Sequence, residues 1–433
     1  MFSLIRRSLV LLILLWGAFS SFPGFAFAED WWQFRGPNGQ GESESVDIPV
    51  TWSSDENIAW EIPIEGKGWS SPVVSEGRIY LTTAVAIGGE QVVSEKKFTK
   101  RVDNRYSLRA ICLDQLSGQT VWDVEVAQVP ERVSIHPKNS HASGTPIVVD
   151  GSVYVHFGPY GTAALDLEGK LKWEAKIEFP PVHGTGGSPI VHGDLLIFHC
   201  DGGKRPGFVV ALDRSSGDER WRTPRSVDAK RAFSFSTPLV IENAGRKTLI
   251  SPASDAVYGL NPDTGDEYWH VQYPERWSIV PKPVYANGLI LVCTGYEGPP
   301  EILAIRPGGT GDVTETHIAW REGRFVPHNP SPIVFNNMVF LVSDDGIASC
   351  RNLDDGELIW KERLGGNYSA SPFIVESLIY FLSEEGVCTV IQASDDFHLV
   401  HRNDVEKRTL ASMVPIDHGI LLRTEDTLIK VGG

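Results

Sequence analysis

The sequence is poor in cysteine, in methionine and in positive charge. Its 433 residues include five cysteines, without a Cys-x-x-Cys or an adjacent pair, so no ligand set with zinc-site spacing is present and no metal site is expected. Three methionines against 13 tryptophans, with 42 glycines and 28 prolines, favour many short strands over a helical bundle. A net charge of −16 argues against a nucleic-acid partner, which would need a basic face.

Long apolar runs are missing from most of the chain, and the exception lies at its start. Arg6 and Arg7 precede an apolar run over residues 9–16, and residues 26–28 read Ala-Phe-Ala, a small-x-small cleavage pattern. We therefore predict a signal peptide over residues 1–28, export to the periplasm or cell envelope, and no membrane span after cleavage. An uncleaved anchor is the alternative. Because no cysteine lies near the cleavage site, a lipoprotein is not expected.

What the chain does contain is an internal repeat. Each unit begins with Ser/Thr-Pro, or once with Lys282-Pro283, continues through apolar strands and an Asp-x-x-Ser/Thr-Gly turn, and ends in a strand that carries tryptophan. Four strands in about 40 to 50 residues are typical of a propeller blade. The predicted fold is all-β, an eight-bladed β-propeller of four-stranded antiparallel blades. The repeated tryptophans, interpreted as structural wedges between sheets, are Trp60, Trp122, Trp173, Trp221, Trp269, Trp320 and Trp360.

The ends of the repeat array indicate how it closes. The last unit stops before any tryptophan strand, whereas residues 57–63 form a tryptophan strand with no blade before it. We predict that this strand closes the last blade and so removes two exposed sheet edges. The predicted organisation is a signal peptide (1–28), an N-terminal extension (29–56) and a propeller (57–433).

The clearest repeat, Ala211-x-Asp213-x-x-Ser216-Gly217-x-x-x-Trp221, resembles the tryptophan-docking motif of pyrroloquinoline-quinone (PQQ)-like propeller proteins. One branch that the chain resembles is the exported propeller subunit of the outer-membrane β-barrel assembly machinery, which implies a non-catalytic scaffold. A more distant branch, the quinoprotein alcohol dehydrogenases, implies PQQ and Ca²⁺ beside an adjacent cysteine pair, which this sequence lacks. Acidic pairs such as Asp344-Asp345 fall in turns and are interpreted as solvated.

A ligand site, if there is one, is expected at one mouth of the channel. The residues just before each Ser/Thr-Pro are rich in aromatic and histidine side chains, which could stack and hydrogen-bond a ligand. A packed, solvated channel mouth is the alternative interpretation. The candidate residues are Trp69, Asn139, His141, His183, Phe235, Trp277, His328, Asn329 and Tyr368.

The function expected from the sequence is a monomeric, exported binding or assembly scaffold. Its partner would be a protein of the cell envelope, or a small ligand at the channel mouth. No catalytic residue and no cofactor are predicted. The alternatives are a reduced PQQ-dependent dehydrogenase, which would need PQQ and Ca²⁺, and a carbohydrate-binding propeller.

Overall fold

The computed structural model describes residues 30–89, 91–102, 104–131, 133–203 and 207–433. The predicted signal peptide and residue 29 lie outside these ranges. Within them the chain is nearly all strand and turn, with one short α-helix, Thr314–His317, and one 3₁₀ turn, Gly158–Tyr160. The all-β prediction is therefore confirmed.

Consecutive strands pair antiparallel with their neighbours along the chain, because short turns join them. The strands of the first four sheets are: sheet 1, Val73–Ser75, Arg78–Ala86, Tyr106–Asp114 and Thr120–Val129; sheet 2, Ile147–Val149, Ser152–His156, Thr162–Leu165 and Leu171–Ala175; sheet 3, Ile190–His192, Leu195–Cys200, Phe208–Asp213 and Glu219–Pro224; sheet 4, Leu239–Asn243, Arg246–Pro252, Ala256–Leu260 and Glu267–Gln272.

The next three sheets repeat this order: sheet 5, Val284–Ala286, Leu289–Cys293, Ile302–Ile305 and Ile318–Glu322; sheet 6, Ile333–Phe335, Met338–Val342, Ile347–Asn352 and Leu358–Arg363; sheet 7, Phe373–Val375, Leu378–Leu382, Val387–Gln392 and His398–Asp404. Sheet 8 combines the two ends of the described chain. It contains Val414–Ile416, Gly419–Arg423 and Thr427–Gly432, and its fourth strand is Ile58–Pro63 from the N-terminal region. That strand runs antiparallel to Thr427–Gly432, with Ile58 opposite Val431 and Pro63 opposite Thr427.

Smaller pieces extend this pattern. Glu42–Ser43 adds in parallel to the first strand of sheet 7, and Gly311–Asp312 adds to the last strand of sheet 4. Val92–Lys96, Thr99–Val102 and Ser134–Ile135 form a separate three-stranded sheet.

The hydrophobic core lies between neighbouring sheets. Alternate side chains of a strand point to opposite faces, and in the second and third strands of the sheets both faces are largely buried, whereas the fourth strands are more exposed. In sheet 1, Tyr80 packs toward sheet 2, whereas Ile79 and Leu81 pack into a cluster with sheets 7 and 8. In the described chain, six further clusters each join one pair of consecutive sheets, from 1–2 to 6–7. Cys112 and the other cysteines are buried and free.

The repeated tryptophans lie across these interfaces. Trp173 of sheet 2 donates its Nε1–H to the Arg214 carbonyl of sheet 3 at 2.8 Å, and its ring covers Gly217 of the same turn. Trp122, Trp320 and Trp360 donate in the same way to the next sheet along the chain. The glycine–tryptophan contacts of this kind are Gly118 with Trp60, Gly169 with Trp122, Gly217 with Trp173, Gly265 with Trp221 and Gly356 with Trp320.

Candidate functional site

Two sets of loops meet at one end of the sheets. In an antiparallel meander, the loop before the first strand and the turn between the second and third strands lie at the same end, which we call the rim. Every residue predicted from the sequence as a candidate for the channel mouth lies in the loop before a first strand, and therefore on the rim.

Contacts between rim loops run from sheet to sheet and return to the loop before sheet 1. They are Trp69 N–H to Ala142 O, Asn139 Nδ2 to His183 O, the His183 ring against Phe233, Phe235 N–H to Ile279 O, Trp277 N–H to Tyr296 O, Tyr296 stacked on His328, Tyr368 N–H to Asp344 O, Thr409 N–H to Glu384 O, and the Arg408 guanidinium over Trp69.

Asn139 joins the loops before sheets 2 and 3. Its Nδ2 donates to the carbonyls of His183 and Thr185 at 2.9 and 3.1 Å, and its Oδ1 accepts from Ser143 Oγ at 2.7 Å. His183 has a positive φ of 63°. Burial lowers the pKa of His183, and the positive charge of Arg231 lowers it further. This part of the rim is therefore held by hydrogen bonds between loops.

Several predicted aromatic and histidine residues lie beneath the rim surface. His141 is 3 % exposed and lies between the rings of Tyr106 and Tyr160, with centroid distances of 4.9 and 5.8 Å. Trp277 is 7 % exposed under the Arg231 guanidinium, and Tyr368 is 1 % exposed. Burial raises the pKa of Tyr368 to about 12. These three side chains therefore pack the rim from inside.

Asp344 is the central polar residue of the rim beside sheets 5 and 6. Its Oδ1 accepts the backbone N–H groups of His328 and Asn329 at 2.9 and 3.1 Å. Its Oδ2 accepts from Asn329 Nδ2 at 2.8 Å and from the Tyr296 hydroxyl at 3.3 Å. The His328 ring stacks on Tyr296 at 4.0 Å, and its Nδ1 lies 3.6 Å from Asp344 Oδ2. Asp344 does lie in a turn and its side chain is 27 % exposed, in line with the interpretation from the sequence, but its carboxylate also orders two loops.

An ion pair connects distant parts of the rim. Lys138, in the loop before sheet 2, places its Nζ 2.9 and 2.8 Å from the two carboxylate oxygens of Glu384, in a turn of sheet 7. Glu384 is 8 % exposed and also accepts from Ser369 Oγ at 2.6 Å. Neither member of this pair was among the predicted site residues. The repeat pattern could not reveal this pair, because the two residues are 246 positions apart in the sequence.

A cavity of about 220 Å³ opens on the rim between sheets 3 and 4. One of its walls is an ion pair between Arg225 and Asp201, 2.8 Å apart, with each side chain less than a tenth exposed. Arg225 also donates to Ser251 Oγ, which lies 2.8 Å from His199 Nε2. Burial, assisted by the charge of Arg225, holds the pKa of His199 well below its usual value.

Below the rim, the Ser/Thr-Pro residues form a chain of hydrogen bonds around the axis. In each case the hydroxyl of one sheet accepts the backbone N–H of the equivalent residue in the preceding sheet. At the start of sheet 5, Lys282 takes the place of the hydroxyl residue. The bonds are Ser71 to Thr145, Thr145 to Ser188, Ser188 to Thr237, Lys282 to Ser331, Ser331 to Ser371 and Ser371 to Ser412, at 2.9 to 3.1 Å.

Residues 31–43, which we call the axial segment, lie between the first strands. The carbonyls of Trp31, Trp32 and Gly41 accept the N–H groups of first strands in sheets 1, 2 and 7, at 2.8 to 3.0 Å. Gln40 Oε1 accepts the N–H of Tyr285 in sheet 5 at 2.6 Å, and the Gly41 position faces Ile333 of sheet 6. A short segment that contacts first strands of five different sheets must run along the axis that they surround. The sequence predicted only an N-terminal extension here.

Arg35 and Lys282 meet on this axis. Arg35 is 3 % exposed and donates to the carbonyls of Pro332 and Pro372 at 2.7 and 3.4 Å. Lys282 is 2 % exposed, and its Nζ lies 3.4 Å from the Phe34 carbonyl. Burial, with the nearby charge of Arg35, lowers the pKa of Lys282 to about 7. Burial also lowers the pKa of Arg35, to about 9.

Among the described residues, no group of three or more His, Cys, Asp and Glu side chains is arranged to hold a metal ion. In the same part of the chain, no helix is both long enough and apolar enough to cross a bilayer.

The stacked sheets and their repeated Trp–Gly contacts define an all-β propeller of the PQQ-like repeat class. The family model described as "Outer membrane protein assembly factor BamB" matches residues 49–184, 109–246, 205–313 and 253–415, and the chain belongs to this family.

Curated relatives carry the same description. BamB of Legionella pneumophila is 29 % identical over 164 residues, 36 % of this chain and 39 % of the relative. BamB of Salmonella typhimurium is 23 % identical over 275 residues, 58 % of this chain and 65 % of the relative. The matched part of this chain therefore spans less than two thirds of each relative.

Solved structures share the fold. The crystal structure of BamB from Moraxella catarrhalis aligns with a TM-score of 0.57 at 14 % identity, covering 86 % of this chain and 96 % of that one. The quinohemoprotein alcohol dehydrogenase ADHIIG from Pseudomonas putida HK5 aligns with a TM-score of 0.50 at 16 % identity, covering 84 % and 76 %. At these identities the likeness concerns the fold alone.

Proposed function

We propose that the protein is a non-catalytic scaffold of the cell envelope, an eight-bladed propeller that binds a protein partner through its rim. The observation that carries this proposal is the construction of the rim. Loops from successive sheets are tied to one another by side chains, and the axis behind them is filled by the axial segment. Such a surface suits a macromolecular partner better than a small ligand, because Trp277 and Tyr368 are buried while Trp69, Phe235 and Tyr296 remain partly accessible across the rim.

The propeller is proposed to close between sheet 8 and sheet 1. Arg423 of sheet 8 donates from Nη1 to Ser70 O at 3.1 Å and to Ser70 Oγ at 2.6 Å. The Ile64 N–H donates to the Asp426 carbonyl at 2.8 Å, and Trp60 packs on Gly118 of sheet 1. These contacts support a ring of eight blades in which residues 57–63 supply the last strand.

Charged side chains on the rim support recognition of a protein. Basic and acidic groups are both present there, for example Arg231, Arg276, Arg408, Asp345 and Glu297. Such charges can steer a partner and fix its orientation.

The dehydrogenase alternative has less support from the residues present. A quinone with Ca²⁺ would need several carboxylates free to coordinate the ion. On the rim, Asp344 is already occupied by four hydrogen bonds, and Glu384 is occupied by Lys138 and Ser369. We therefore derive no redox step for this protein.

Site-specific photo-crosslinking in intact cells tests the proposal. A photoreactive amino acid at Trp69 or Phe235 places the probe on the rim, and the matched control at Ser216 places it at the opposite end of the sheets. The expected result is one envelope protein captured from the rim positions and absent from the control. Equal capture from both ends would contradict a rim interface. Dye reduction that depends on added PQQ and Ca²⁺ would instead support the dehydrogenase.

A further inference from the structure

The axial segment is bound in the manner of a peptide ligand. Its turns are closed by its own backbone, with Gly36 N–H donating to Gln33 O and Gly39 N–H to Gly36 O. Two residues, Glu42–Ser43, pair with a sheet, and they do so in parallel at an inner strand. Residues 54–57, which join the N-terminal region to the strand of sheet 8, are exposed. The repeats that build the eight sheets begin only after this stretch.

Lys282 departs from the repeat in a way that serves the axial segment. A hydroxyl residue occupies the same position in the other sheets, and in sheets 2, 3, 4, 6, 7 and 8 it accepts an N–H from the preceding sheet. Lys282 instead extends its ammonium to the carbonyl of Phe34. Burying an ammonium group with a single long hydrogen bond costs free energy, and nothing within sheet 5 requires a lysine at this position. We therefore attribute the lysine to its contact with the axial segment.

Arg35 supplies the second determinant. Its guanidinium binds two proline carbonyls, Pro332 in sheet 6 and Pro372 in sheet 7, each next to a hydroxyl of the chain around the axis. A planar group with several donors can connect two acceptors on different sheets, which a lysine ammonium does less well. Arg35 therefore contacts sheets that are adjacent in space but 40 residues apart in sequence.

Two glycines restrict which sequences can follow the same path, because both have a positive φ that other residues rarely adopt. At Gly39, where φ is +69°, a Cβ would lie 2.3 Å from Lys282 Nζ. At Gly36, where φ is +78°, a Cβ would lie 2.6 Å from the Trp31 ring. Trp31 is 2 % exposed and belongs to the cluster that joins sheets 7, 8 and 1. A peptide that binds along the axis therefore needs an aromatic residue, an arginine and glycines at fixed positions.

We propose that the axis of the propeller is a peptide-binding site and that the axial segment is its ligand, which docks after the eight sheets have assembled. The ligand class is a short peptide with the pattern Trp-Trp-x-x-Arg-Gly-x-x-Gly. Lys282 and the carbonyls of Pro332 and Pro372 are its specificity determinants. The same segment from a second copy of the chain fills the site when the resident segment is removed.

The test uses the full chain with a site-specific protease sequence at residues 54–57, cleaved after folding. A synthetic peptide of residues 30–53, labelled at its C-terminus with fluorescein, is added in excess, and exchange is followed by anisotropy and native mass spectrometry. We expect one peptide per propeller. A peptide with Arg35→Ala should bind at least about tenfold more weakly, the usual effect of losing charged hydrogen bonds. The matched control, Thr51→Ala, alters an exposed side chain outside the axial segment and should bind like the natural sequence.

Substitutions in the propeller give a second arm. Lys282→Ser restores the hydroxyl of the repeat and should weaken peptide binding at least about fivefold, whereas Lys247→Ser, at an exposed lysine, should not. Equal binding of the natural and Arg35→Ala peptides would overturn the proposal. So would a cleaved protein that releases the fragment only when its sheets unfold.

Hydrogen exchange on the uncut protein gives an independent measurement should the cleaved form aggregate. The proposal expects the Gly39 and Gly41 amides to exchange through an opening of lower free energy than the sheet amides. If these two amides exchange only by global unfolding, the segment belongs to the folding unit and the proposal fails.

Discussion

The glycine beneath each tryptophan provides a sharp test of how neighbouring sheets are joined. Gly217 has φ +79°, and a Cβ there would lie 2.6 Å from Cε3 of Trp173. Gly288 has the same φ of +79°, but a Cβ there would meet nothing within 4 Å. The pair Gly217→Ala and Gly288→Ala therefore separates the cost of backbone strain from the cost of overpacking the interface.

Both substitutions should cost about 1 to 2 kcal/mol for a non-glycine residue in the left-handed region. Gly217→Ala should cost a further 1 to 3 kcal/mol, roughly the usual range for overpacking, because the Trp173 ring is held by its hydrogen bond to Arg214 and must shift. Gly217→Ala is thus expected to lose about 2 to 5 kcal/mol in total, and Gly288→Ala about 1 to 2.

The assay is urea denaturation followed in parallel by far-ultraviolet circular dichroism and tryptophan fluorescence. The expected result is a lower midpoint for Gly217→Ala than for Gly288→Ala, with an early fluorescence change in the former as Trp173 loses its contact. If both variants unfold at the same midpoint, Trp173 does not rest on Gly217. The argument for tryptophan-mediated contacts between sheets would then be refuted.

Three further outcomes are expected. Trp269→Ala should cost about 3 to 5 kcal/mol in urea denaturation, because Trp269 is fully buried; a loss below about 1 would contradict this. Arg225→Met should cost about 3 to 5 kcal/mol by leaving Asp201 buried without its partner, whereas Arg222→Met, which breaks an exposed pair, should cost below about 1. Burial lowers the pKa of His156 to about 3, so below about pH 6.5 the unfolded chain binds a proton that the native state does not bind, and stability falls as the pH falls. His156→Asn should therefore reduce the fall in melting temperature between pH 7.5 and pH 5. An unchanged slope would exclude His156 as a cause.

Much of the sheet architecture was predictable because its signals are local. A turn with Asp213 and Gly217, followed by Trp221, specifies a hairpin and a flat side chain within a few residues. Repetition of such units places each sheet against the next, so the all-β prediction needed no long-range information. The strand at residues 57–63 was predicted in the same way, as a unit without a partner, and the structure pairs Ile58–Pro63 with Thr427–Gly432.

The sequence predicted which loops form the rim, but it did not predict which residues hold those loops together. The candidate residues do lie in the rim loops, but Asp344, Tyr296 and the Lys138–Glu384 pair, which organise those loops, were not among them. Asp344 is the second residue of a polar turn, a pattern typical of solvated sites. Its four hydrogen bonds become visible only when the loop of sheet 5 and the loop before sheet 6 come together.

The sequence alone determined the elements that repeat, because strand alternation, turn chemistry and a large aromatic at a fixed offset act over about ten residues. Tertiary structure alone decided what fills the axis. Arg35 meets Pro332 and Pro372 across 297 and 337 positions, and Lys282 meets Phe34 across 248. Contacts at such separations depend on where the stacked sheets bring distant parts of the chain together, and a contact that occurs once leaves no repeat to detect. The sequence did show that Lys282 replaces the serine or threonine of the repeat. The reason for this replacement could be recognised only from the structure, in which Lys282 contacts the axial segment.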